Sequence, residues 1–168
     1  MEPERVLQSL GGFERNVANL YELLAASFAD DEPAARLFRE MAKEEEFHAG
    51  LVLYEQAMVE EDPSRFGDID LDIDELVRAS ESIASAWASV STMSVAEAVS
   101  LAAKIEASAA ERHYRLAMQQ SNPAFASFIE MLTGEDTAHH ARICEFAHRY
   151  GLNANGTQAP IEHPCHPA

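Results

Sequence analysis

The chain has 168 residues, 47% of them hydrophobic and 24% charged, which suits one soluble globular domain with a proper core. Its formal net charge of −17 argues against nucleic-acid binding and against adhesion to anionic membranes, and is compatible with simple solubility. No apolar run reaches bilayer length, Met1-Glu-Pro-Glu lacks the basic and apolar regions of a signal peptide, and two cysteines cannot supply a four-thiolate metal site, so a cytoplasmic protein is expected.

Helical periodicity runs through the whole chain. The first helix is predicted from about Ser9 to Ala29, with Leu10, Phe13, Val17, Leu20, Leu24 and Phe28 in rhythm. Asp31 and Glu32 precede Pro33, which is well placed in a first helical turn, and a second helix continues to about Val59. Its stripe is Leu37, Met41, Glu45, His48, Val52, so a carboxylate and an imidazole occupy positions that core side chains would otherwise take. Asp62-Pro63 ends that helix, and an acidic loop over 64–72 leads to a third, about Ile73 to Val90, with Leu76, Ile83 and Trp87 on one side. Ser94-Val-Ala-Glu97 reads as a capping box that opens a helix reaching about Gln119, with Val95, Val99, Ala102, Glu106, Ala109, His113 and Leu116 on its stripe. Asn122-Pro123 starts the last long helix, which ends near Tyr150 before Gly151 and carries Leu132, Asp136, His139 and Ile143 in register. Residues 1–151 therefore form the domain, and 152–168, with three prolines, a tail; Cys144 is expected to be a small core residue.

The two halves repeat one pattern. Met41 to His48 aligns without a gap with Leu132 to His139, setting Asp136-x-x-His139 opposite Glu45-x-x-His48. Residues three apart on a helix share a face, so each carboxylate projects beside its imidazole. Glu14 stands 31 residues before Glu45, and Glu106 stands 30 before Asp136; Tyr21 and Tyr114 follow these two glutamates by seven and eight residues. One such pair is commonplace on a wet helix face, but six inward residues of ligating type on four stripes are not. Burying four unpaired carboxylates would wreck a core, and two divalent cations would neutralise them. Oxygen donors with one imidazole per metal suit iron or manganese. Glu135 is a rival to Asp136, being one turn from His139 and long enough to swing inward. An empty site of this kind is expected to raise its crowded carboxylates' pKa values, so that the metal-free protein gains stability as pH falls. Glu44, Glu46, Glu60 and Glu61 read as a solvated charge run.

Over roughly residues 9–150 the chain resembles the rubrerythrin branch of the ferritin-like di-iron superfamily, on Glu14 with Tyr21, Glu45-Glu-Phe-His48, Glu106 with Tyr114, and the Asp136–His139 pair. The resemblance implies an all-α fold, a ferritin-like antiparallel four-helix bundle whose long crossover contains an extra helix. It implies two iron ions, with manganese the alternative, bridged by Glu45 and the carboxylate at 136; Glu14 with His48 would complete one metal's set and Glu106 with His139 the other's. Tyr21 and Tyr114 would orient ligating carboxylates. The implied activity is oxidation of Fe(II), or reduction of O2 or peroxide with an external electron donor, in a homodimer; the alternative is iron sequestration without turnover. Three features depart from the family: the rubredoxin-type cysteine domain is absent from this sequence, Ala109 stands where a further glutamate is usual, and Asp136 replaces a glutamate.

Overall fold

The computed structural model describes residues 2–66, 73–106, 139 and 141–151, and the described residues are helical with no strand. Helix α1 spans Pro3–Ser27 and α2 spans Glu32–Glu61. A single 3-10 turn, Pro63–Arg65, follows, and α3 spans Ile73–Trp87. A second 3-10 turn, Val90–Thr92, leads to α4, Val95–Glu106. The last helix among the described residues, α5, covers 141–149, and His139 just before it is also helical.

Helices α1 and α2 run antiparallel. The start of α1 meets the end of α2 in a cluster of Val6, Leu7, Leu10, Val52 and Val59. Tyr21 and Phe38 meet near the other end, with ring centroids 6.1 Å apart. The predicted first helix begins too late, by about two turns. Pro3 suits the first helical turn because its missing amide would have had no intrahelical partner, and burial of Val6 and Leu7 on α2 carries the helix that far. The larger core joins the five described helices: Phe13, Leu20, Tyr21, Leu24, Leu37, Phe38 and Met41 from α1 and α2 pack with Leu76 and Ile83, Val99 and Ala102, and Ile143.

The predicted caps are present. Ser94 Oγ accepts from the Glu97 amide at 3.3 Å while Glu97 Oε2 accepts from the Ser94 amide at 2.8 Å, the reciprocal pairing of a capping box. Asp31 Oδ1 accepts from the Ala34 amide at 3.2 Å and from Tyr150 Oη at 2.6 Å, so one carboxylate caps α2 and ties it to the end of α5. Two core expectations need correction. Trp87 is 42% exposed, being the last residue of α3 where the chain turns away, and Ala86 is buried instead. Cys144 is half-buried, to one side of the Ile143 and Ala147 stripe.

Candidate metal centre

Helices α1, α2 and α4 each bring a ligating residue inward because their apolar stripes are interrupted at that turn. Glu14 lies between Phe13 and Val17 on the buried side of α1, and Glu45 and His48 lie between Met41 and Val52 on α2. Glu106 follows Ala102 and Ile105 at the end of described α4. All are withdrawn from solvent, as are His139 and the Glu106 side chain, each 1% exposed.

These five residues form two overlapping groups. Ligand atoms of Glu14, Glu45 and His48 all lie within 4.8 Å of one another, and so do those of Glu45, Glu106 and His139. Glu45 belongs to both. Its Oε2 lies 3.2 Å from His48 Nδ1, and its Oε1 lies 3.5 Å from His139 Nδ1. Glu106 Oε2 is also 3.5 Å from His139 Nδ1, and the two imidazole rings stack with centroids 5.4 Å apart. Tyr21 Oη donates to the remaining oxygen of Glu106, Oε1, at 2.8 Å. The tyrosine one turn-pair beyond Glu14 thus orients the carboxylate of the other half. Asp136, Glu135 and Tyr114 lie outside the described residues.

The electrostatics follow from crowding without solvent. Burial alone would push the Glu45 carboxyl up, but interactions with His139, His48 and Glu14 outweigh it and hold the carboxyl at about 2. Burial alone would likewise lower His139, yet Glu106 and Glu45 together hold its imidazolium up to about 10. The expectation that an empty site raises its carboxyl pKa values is therefore corrected at Glu45. It counted carboxylates repelling one another and left out the histidine that carries a proton among them.

The donor set fits a cation. Glu45 Oε1, Glu106 Oε2 and His139 Nδ1 are buried without an aligned hydrogen bond, which is costly unless something else satisfies them. A metal ion would, by replacing the proton on His139 and meeting the carboxylate oxygens. This buried Glu/His cluster can hold a metal ion.

The sequence reading places one acidic residue wrongly and passes over another. Glu44 is not part of a wet face: it is half-buried, accepts from Arg142 Nη1 at 2.6 Å and lies 2.9 Å from His139 Nε2. Glu46, Glu60 and Glu61 are exposed as expected. Glu55 is fully buried, one turn beyond Val52, and the stripe Glu45, His48, Val52 extended by three residues points to it. No helix among the described residues is long and apolar enough to cross a membrane. Compared with family models, with curated proteins and with solved structures, the chain has no match.

Proposed function

We propose that this chain is a rubrerythrin-like member of the ferritin-like superfamily, a four-helix bundle with α3 in its crossover, binding two iron ions. Glu14, Glu45 and His48 bind one ion; Glu45, Glu106 and His139 bind the other, with Asp136 as the sixth protein ligand; manganese is the alternative metal. The observation that carries this reading is the sharing of Glu45 between two buried carboxylate–imidazole groups, because a carboxylate with one oxygen toward each group suits a pair of cations better than a single one.

Bound iron would supply one-electron chemistry with O2 or peroxide, oxidising Fe(II) or consuming peroxide with electrons from an external donor. The chain's own residues do the rest. His139 surrenders its proton when its nitrogen is engaged, so loading releases protons and strengthens as pH rises. Tyr21 fixes Glu106, and the apolar shell of Phe13, Met41 and Ala102 keeps bulk water from the carboxylates. A second reading, iron sequestration without turnover, is favoured by Ala109, which stands where a further glutamate that could shift on and off the metal is usual.

Anaerobic reconstitution with Fe(II) tests the site, and subsequent addition of O2 or peroxide tests the reaction. About two ions per chain are expected, followed by repeated turnover once a reductant is supplied. A single stoichiometric oxidation selects sequestration, and a protein that takes up no transition metal is not a dimetal protein.

A further inference from the structure

His139 presents its two nitrogens to different surroundings. Nδ1 faces the interior of the cluster, 3.5 Å from Glu45 Oε1 and from Glu106 Oε2. Nε2 faces the other way, 2.9 Å from Glu44 Oε2, without yet having hydrogen-bond alignment. Glu44 is itself held: Arg142 Nη1, from the next turn after His139, donates to the same Oε2 at 2.6 Å. Both partners of that ion pair are 30% exposed, so it lies at the outer edge of the cluster between α2 and α5.

We propose that Glu44 is a positioning residue for His139, accepting from Nε2–H so that Nδ1 meets the metal, and that Arg142 fixes Glu44 for this task. The inference rests on the dimetal reading. A neutral imidazole has one N–H and one lone pair, and whichever nitrogen finds an acceptor keeps the proton. Ligating histidines commonly place the second nitrogen on a carboxylate, which fixes the tautomer and raises ligand basicity. Here the acceptor comes from α2, adjacent in sequence to Glu45, so one turn of helix supplies both a ligand and the residue that aims a ligand from α5. The Arg142 contact is a charge-assisted bond of short length, and it stops Glu44 from swinging into solvent as an isolated surface glutamate would.

The test uses the full chain loaded with zinc, which is diamagnetic, with affinity read by calorimetry and the His139 tautomer by long-range proton–nitrogen NMR. In the wild type, His139 should bind zinc through Nδ1 and keep a slowly exchanging proton on Nε2. Glu44→Ala should weaken one of two binding steps by about 10–100-fold and leave the Glu14–His48 step unchanged. Glu44→Gln, which keeps an acceptor oxygen, should recover most of that loss, and Arg142→Ala should produce a smaller loss. If Glu44→Ala does not fold, the Gln variant and the wild-type tautomer still decide. Two zinc steps with neither affinity nor tautomer altered in Glu44→Ala would overturn the positioning role and leave the dimetal reading standing. Zinc on Nε2, with Glu44→Gln as damaging as Glu44→Ala, would make Glu44 a ligand instead and also overturn it. No zinc uptake by the wild type would overturn both.

Discussion

Tyr21 and Glu106, 85 positions apart in the chain, are joined by a 2.8 Å hydrogen bond between the phenol of α1 and the carboxylate of α4. Tyr21 is fully buried, so the bond is shielded from water and fixes Glu106 with its Oε2 turned toward His139. Tyr21→Phe keeps the ring packing on Phe38 and removes only the donor. It is expected to cost about 1–3 kcal/mol of stability, because a buried carboxylate oxygen loses its partner. It should also weaken the metal step that uses Glu106 and His139 by about tenfold or more. Calorimetric titration beside a denaturation curve separates the two effects, and an unchanged metal affinity would remove Tyr21 from the site.

The metal-free protein should have a stability maximum in mildly acid solution. His139 is raised from 6.5 to about 10, so its contribution is complete below 6.5 and is lost as pH climbs through 10. Glu45 is lowered from 4.5 to about 2, so its contribution is complete above 4.5 and is lost as pH falls through 2. Both are present in full only between about 4.5 and 6.5. Melting temperatures of chelator-treated protein should therefore decline from pH 6.5 to 9, and His139→Gln should flatten that decline. Glu14, Glu44, Glu106, His48 and Arg142 surround the pair, so the difference between wild type and variant is the quantity to read. A melting temperature that rises with pH across this alkaline range would contradict the assigned imidazolium.

The residues legible in the sequence were those announced by periodicity. Glu45 and His48 break an apolar stripe at core positions, Ser94 and Glu97 form their cap, and the repeat of one helix pair in the other led to Glu14, Glu106 and His139. Periodicity also explains what was missed. Glu44 sits about 100° around the helix from Glu45 and looks solvated until Arg142, 98 residues away, is folded against it. The start of α1 was missed because the stripe was counted from Leu10, whereas Val6 and Leu7 continue it against α2, where Gly11 is buried at a close helix approach.

That close approach yields a paired prediction. A Cβ on Gly11 would lie 3.2 Å from Val52 Cγ1, while one on Gly12 would meet nothing within 4 Å. Both glycines lie in the interior of α1, where alanine is favoured by about 0.5–1 kcal/mol. Gly12→Ala should deliver that gain in full, and Gly11→Ala should deliver less or none, since α1 and α2 must part slightly. Adding Val52→Ala should cost less in the Gly11→Ala background than in wild type, a coupling that a double-mutant cycle measures. Equal gains from the two alanines would mean that the helices are not packed this closely.

Glu45 should be the residue on which both metals depend. It is fully buried, and each of its oxygens faces a different histidine, His48 from Oε2 and His139 from Oε1. Glu14 and Glu106 each belong to one group alone. Substitution by glutamine preserves volume and removes charge, so metal binding can be separated from loss of packing. Glu45→Gln should abolish both steps of a metal titration, Glu14→Gln should abolish or severely weaken one, and Glu106→Gln the other. The metal-free Glu45→Gln protein should also melt lower near pH 6, because the His139 imidazolium loses one of the two carboxylate charges beside its Nδ1. Equal losses from all three substitutions would indicate one cation shared by five residues. Retention of either step in Glu45→Gln would show that the two groups do not meet at this carboxylate, and the dimetal reading would lose the observation that carries it.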